Sequence, residues 1–495
     1  MKKQEQPPEL KNVLIVTSVS DKKLDVKIGT IEINSNGTIN KIETIKNIEN
    51  INEEKIKIEH IAMPGFIDAH NHSRQIALQA FPKSGWKNNS SKPKDNQVKK
   101  IFKWFLLDTL KSGVTFFCDW PEHPLNDPNM IIECIDEMKL RGCIRVVLQH
   151  DKGKPLEKIG EIYKKLSNSI NKCKFTNIDK PDVQLALWIP EENKLEFSRK
   201  VFSFLARFKS LIKESIFFQM HLAENKERKE ACPNAIELIF EFIFNNFIPL
   251  EKHRAIFIHA IWIDKDDLDV MKKFKNNLGI VTCPRFSDGK LAPIKDLLSA
   301  GLPIGLGSDT SSPDPFYLIR KMISLHKSQV KSKQISIEEA FYMATLGGAK
   351  IFGMEHKIGS IDKDKDADIV LVKNPAAINI KLFSKEGNEK ERVKAIKRLF
   401  TRNVLRKEHV DIVFIKGKKV LNNGELYNPI PSFNFYNLGY ICFQMYDQIF
   451  KRLKDKLLKN KCCRNITYPK SIEDDIIDEG KKAANEIMNE YIISI

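Results

Sequence analysis

Between residues 12 and 60, apolar and polar positions alternate in short runs: NVLIVTS, LDVKIGTIEI and TINKIETI, the last two separated by Asn36-Gly37. Period-two alternation interrupted by an Asn-Gly dipeptide is the pattern of strands joined by tight hairpins, so this stretch reads as a β layer. From about residue 63 to 353 the texture changes. Short apolar runs (GFIDAH, VTFFCDW, IRVVLQH, VQLALWI, IFFQMHLAE, AIFIHA, GIVTCP and PIGLGSD) are separated by stretches with helical spacing, such as AIELIFEFIFNNF and DDLDVMKKF. Eight strand-and-helix units of this kind predict a parallel sheet closed as a (β/α)8 TIM-like barrel. From about 358 to 426 short strands return in DADIVLVK and VDIVFIKGKKVLNNGELY, with a second Asn-Gly pair at Asn423-Gly424.

The expected architecture is therefore α/β. A barrel covers 63–353, and a small β-sandwich domain is assembled from both flanks, 1–62 and 354–430. Residues 431–495 form a helical extension, in which NLGYICFQMYDQIFKRLKDKLLKNK has helical apolar spacing and a basic outer face. That helix is expected to pack on the domain, with a homodimer contact as the alternative. The polar segment Lys87 to Lys100 reads as a loop near the barrel mouth.

Composition narrows the classes. With 495 residues and 42% hydrophobic content the chain has enough apolar material for a large core. No apolar run approaches the ~20 residues that span a bilayer, and MKKQEQPPELKN lacks the apolar stretch of a secretory signal. Nine scattered cysteines argue against a disulfide framework and for a reducing, cytoplasmic setting. The net charge of +17 comes from lysines spread along the chain without a nucleic-acid motif, so neither nucleic acid nor a membrane is expected as a partner.

Histidine is scarce, eleven in all, yet several end apolar runs. In Pro64-Gly65-Phe66-Ile67-Asp68-Ala69-His70-Asn71-His72, strand alternation points His70 and His72 the same way, about 7 Å apart. His221 ends the fifth run, His259 the sixth, and Asp309 the eighth. Strand ends converge on one mouth of a barrel, and three imidazoles with a carboxylate suit one divalent ion, zinc or alternatively ferrous iron. Glu224, three residues past His221, stands where a proton-carrying acid would face a substrate. The fourth run ends LALWIPEE, without the lysine that a bridged two-metal centre would use, so a single ion is expected. Trp188 ends that run and is placed either to stack on a planar heterocycle or to form an aromatic lid. His150 is a weaker candidate at the third strand end, and Cys118 and Cys283 read as small buried apolar residues.

Several separated segments resemble the amidohydrolase superfamily, in particular its mononuclear aminohydrolase branch of guanine deaminases, triazine chlorohydrolases and adenosylhomocysteine deaminases. They are PGFIDAHNH, HLAE, the His259 strand, CPRFSDGKLAPIKDLLSAGLPIGLGSD and ATLGGAKIFGMEHKIGSIDKDKDADIVLV. The resemblance implies that His70, His72, His221 and Asp309 are metal ligands and that Glu224 is a proton shuttle. It also implies that His259 bonds the attacking water or the substrate, and that Gln75 touches the substrate. The implied reaction is hydrolytic deamination of a nitrogen heterocycle such as a purine, with Asp309 taking the water's proton. Amide hydrolysis, triazine-type dehalogenation and a catalytically silent scaffold are the alternatives. Trp188-Ile189-Pro190-Glu191, Phe286-Ser287-Asp288 and Thr310-Ser311-Ser312-Pro313-Asp314 depart from the branch's usual patterns. Those positions shape the pocket, so the resemblance carries the reaction further than the substrate.

Overall fold

The computed structural model describes residues 8–18, 22–44, 58–73, 95–121, 128–146, 183–188, 217–246, 254–284, 290–330, 333–374 and 389–427. The chain divides into two compact units, residues 1–76 with 105–428 and residues 77–104 with 429–495. Of the second unit, only residues 95–104, the start of helix Asp95–Lys111, are described. Asp95–Lys100 is thus helical rather than the loop expected there, because Val98, Ile101, Phe102, Phe105 and Leu106 give an apolar stripe at helical spacing. Residues 87–94 and the expected extension 431–495 lie outside the described residues.

The first unit opens with β1 (Glu9–Ser18), β2 (Leu24–Ile33), β3 (Ile39–Thr44) and β4 (His60–Pro64). In β2, Leu24, Val26 and Ile28 are buried while Asp25 and Lys27 are partly exposed, the expected period of two. The Asn36-Gly37 turn is closed by Asn34 N donating to Thr38 O at 2.8 Å.

A parallel sheet follows: β5 (Phe66–Asn71), β6 (Val114–Asp119), β7 (Arg141–Val146), β8 (Val183–Trp188), β9 (Phe217–Leu222), β10 (Arg254–His259), β11 (Leu278–Thr282) and β12 (Ile304–Leu306). They lie side by side in chain order. Every residue of β5, β6 and β11 is buried, as both faces of such a sheet require. Asn71, the last residue of β5, also forms an isolated parallel bridge with Asp309, three residues past β12. The third strand is described over Arg141–Val146, and His150 lies outside the described residues.

The C-terminal flank supplies β13 (Ile369–Lys373), β14 (Val410–Ile415), β15 (Lys418–Asn422) and β16 (Glu425–Leu426). Between β13 and β14 lies the helix Glu389–Thr401, which the sequence reading of this region as strands did not anticipate. Its many charges hide a short apolar stripe, of which Ile396, Leu399 and Phe400 are buried. The two flanks are joined by strand pairing, since β4 runs parallel to β1 and antiparallel to β13. Pairing is continuous in the order β16-β15-β14-β13-β4-β1-β2-β3. This sheet curls: a Cβ on Gly37 would lie 2.0 Å from the Lys416 carbonyl oxygen, and Ile33 and Ile39 share a core with Phe414.

Only Gly65 separates β4 from β5, and a Cβ there would collide with the Thr115 side chain at 2.1 Å. A second tie is the fully buried Arg141 at the start of β7. Its Nε donates to Asp368 Oδ2 at 2.8 Å, and its Nη2 to Asp368 Oδ1 at 2.9 Å and Asp366 Oδ2 at 2.8 Å. Lys416 N also donates to Asp368. Replacing Asp368 by Ala leaves the buried guanidinium with Asp366 alone among these carboxylates, and we expect a loss of about 3 kcal/mol, measured as a lowered urea midpoint.

Candidate metal centre

The centre is built where β5 meets the segment after β12. His72 N donates to Asp309 O, and Asp309 N donates to His70 O, both at 2.9 Å. This exchange places the His70 and His72 imidazoles beside the Asp309 carboxylate. Two buried carboxylates brace it. Asp68 accepts from Ser308 N (2.8 Å) and Ser308 Oγ (2.6 Å), and Asp119 accepts from Ser73 N (3.0 Å) and Ser73 Oγ (2.8 Å). Burial pushes Asp68 up to about 7 and Asp119 up to about 6, against the lowering effect of these bonds.

His221, in β9, joins from the opposite side. His70 Nε2 lies 3.2 Å from His72 Nε2 and 3.3 Å from His221 Nε2. Burial, reinforced by the neighbouring imidazoles, holds His70 and His221 well below the usual histidine range and keeps both rings neutral. Three nitrogens crowded on one point fit a cation at their focus. Tetrahedral zinc with Zn–N of about 2.0–2.1 Å separates its nitrogen ligands by about 3.3 Å. Asp309 Oδ1 stands 3.5 Å from His72 Nε2. His70, His72 and His221 form a candidate metal-holding group.

Glu224 and His259 adjoin it. His259 Nε2 is 3.7 Å from both Glu224 Oε1 and Asp309 Oδ2. His259 and Asp309 are 5% and 8% exposed in their side chains, Glu224 38%. Burial, with the charges of His72 and Arg228, lowers His259 to about 3, so its ring is neutral; burial raises Asp309 to about 6. Ala223, His259, Ala260 and Asp309 all have φ between 43° and 73°. This left-handed backbone costs each about 1 kcal/mol or more and turns the chain at each strand end, which is where strained residues at functional sites are found.

Three participants escaped the sequence reading. Arg228 Nη1 pairs with Glu224 Oε2 at 2.9 Å, and the i,i+4 spacing past Glu224 was the available signal. Trp120, buried just past β6, meets His221 edge-on at 4.3 Å between ring centroids and His70 at 5.6 Å. The Arg145 guanidinium covers the Trp120 ring at 3.5 Å. Gln75 and residues 189–191 and 286–288 lie outside the described residues; Trp188 closes β8, and its side chain is not described.

No helix among the described residues is long and apolar enough to cross a membrane. The chain is 23% identical over 353 residues to the guanine deaminase of Rattus norvegicus, covering 64% of this chain and 73% of that one. It is 24% identical over 392 residues to the 5-methylthioadenosine/S-adenosylhomocysteine deaminase of Halothermothrix orenii, covering 73% and 84%. Its fold is similar to that of the atrazine chlorohydrolase from Arthrobacter aurescens complexed with zinc, with a TM-score of 0.65, 14% identity, and 88% and 99% of the two chains covered. The profile of the Amidohydrolase family matches residues 61–420, so the chain belongs to that family.

Proposed function

We propose that this protein is a metal-dependent aminohydrolase that releases ammonia from a nitrogen heterocycle, the substrate class of its deaminase relatives. The observation that carries this reading is a half-exposed carboxylate, Glu224, set beside a buried cluster of neutral imidazoles. The parallel sheet is read as a closed (β/α)8 barrel spanning 63–353, with 1–62 and 354–430 as the β domain and 431–495 as a helical extension. The mouth of such a barrel gathers strand ends into one site.

His70, His72, His221 and Asp309 would hold one divalent ion, zinc or alternatively ferrous iron. The chemistry an ion would supply there is a lowered pKa for water, and with it a nucleophile at working pH. Asp309 Oδ2 takes the proton of the attacking water. Glu224 Oε1 delivers a proton to the ring nitrogen next to the attacked carbon, which makes that carbon electrophilic. A further proton on the amino group lets ammonia leave in place of an amide anion. His259 Nε2 faces both carboxylates, from where an N–H on that atom stabilises the developing oxyanion. Gln75 and Trp188 are assigned to substrate contact, with Trp120 and Arg145 as the wall behind the imidazoles.

Glu224→Gln should lower turnover by about 10²–10⁴-fold while the purified protein keeps its full metal content. Ammonia release from purines, pterins, pyrimidines, triazines and adenosyl compounds, with zinc and ferrous protein in parallel, measures it. Full activity in metal-replete E224Q overturns the shuttle assignment, and release from none of the compounds overturns deamination in favour of amide hydrolysis or dehalogenation.

Zinc affinity of the metal-stripped protein should depend on pH through Asp309. Its carboxyl gains a proton as pH falls through about 6, and that proton competes with the ion, whereas His70 and His221, held well below the usual histidine range by burial, add no competition there. Competition titration with a chromogenic chelator should therefore show little change from Asp309 between pH 8 and 7, and about a tenfold loss per unit below its pKa.

A further inference from the structure

A second set of donors converges next to the first. His259, Cys283 and Asp309 are all buried, and their ligand atoms lie within 4.8 Å of one another. The deamination chemistry above uses His259 and Asp309 but gives Cys283 nothing to do. Cys283 directly follows β11, and its sulfur sits inside: a Cβ on Gly307 would lie 3.0 Å from Cys283 Sγ and 3.0 Å from His70 Cβ. The small buried apolar residue expected from sequence is therefore a thiol at the edge of the candidate centre.

Asp309 faces two ways. Oδ1 is 3.5 Å from His72 Nε2 in the first set, and Oδ2 is 3.7 Å from His259 Nε2 in the second. A carboxylate that offers one oxygen to each of two donor sets is arranged as a bridge, and two-metal sites hold their ions about 3.5–4 Å apart. Glu224 Oε1, 3.7 Å from His259 Nε2, adds a fourth donor. Imidazole, thiolate and carboxylates together suit zinc and discriminate against magnesium or calcium.

We propose that His259, Cys283 and Asp309 form a second, weaker zinc site, bridged to the first by Asp309, whose filling silences the enzyme. This rests on the reading of His70, His72, His221 and Asp309 as the primary site. Zinc displaces the thiol proton, which leaves to solvent, and no oxidation state changes. The second site is weaker because it shares Asp309 and is repelled by the first ion. It silences because His259 Nε2, Asp309 Oδ2 and Glu224 Oε1 become ligands and can no longer move or hold protons.

The test is a cobalt(II) titration of the metal-stripped full-length protein, with metal content and near-ultraviolet absorbance read together. The first equivalent should bind without a thiolate-to-cobalt charge-transfer band, and the second should bring the band in. Cys283→Ser and Cys283→Ala should stop at one equivalent, lack the band, and keep the activity of the one-metal wild type. Inhibition by excess zinc should move to at least ~10-fold higher concentration in both variants, the scale of losing a group that holds the ion. Saturation of the wild type at one equivalent overturns the proposal, and so does a band with the first equivalent or equal zinc inhibition in Cys283→Ala. A protein that binds no cobalt at all refutes the primary site as well, which separates the two failures.

Discussion

Two backbone hydrogen bonds hold the candidate centre in register: His72 N to Asp309 O, and Asp309 N to His70 O. Buried amides and carbonyls must be paired, so these bonds fix how the His-x-His segment lies against the residues after β12. A slip of one residue would turn His70 and His72 away from Asp309, since strand side chains alternate faces. The Asp68–Ser308 and Ser73–Asp119 bonds act in the same sense, each tying one side of the junction to a fixed neighbour. The geometry of the donors thus follows from main-chain pairing, and the side chains inherit it.

The electrostatics follow from depth. Burial keeps the His70, His221 and His259 rings neutral, with ring-nitrogen lone pairs available to a cation, and raises the Asp309 carboxyl. Glu224 is the exception. It reaches toward solvent, and Arg228, in the helix Lys226–Ala231, pairs with it. One carboxylate buried and one half exposed, on either side of a single imidazole, is a division of labour that membership in a family does not by itself supply.

Much of this was legible in the sequence. The strand-end positions of His70, His221, His259 and Asp309 came from the alternation of apolar runs with helical stretches. The Asn-Gly pairs located two of the hairpins. What escaped has physical reasons. Glu389–Thr401 is so highly charged that its apolar stripe is thin, and strand-like neighbours on both sides concealed it. The third strand starts at Arg141, which a hydrophobic pattern skips because its charge is buried only through Asp366 and Asp368, far along the chain. Cys283 read as filler because composition reports that a thiol is buried and not what it faces. The curl of the flanking sheet depends on Gly37 meeting Lys416, a contact between segments that no local pattern announces.

The pairing of β4 has a consequence for the order in which the molecule is made. β4 runs beside β1 and against β13, so its partners lie on opposite sides of about 350 residues of intervening chain. During synthesis β5 emerges joined to β4 by one glycine, while β13 does not yet exist. Non-local pairings of this kind form late and slowly. The strand that carries His70 therefore waits, with one edge of its neighbour open, until the C-terminal flank arrives to close the sheet. A nascent chain truncated before residue 369 would present that edge to solvent, a ready template for association with other chains.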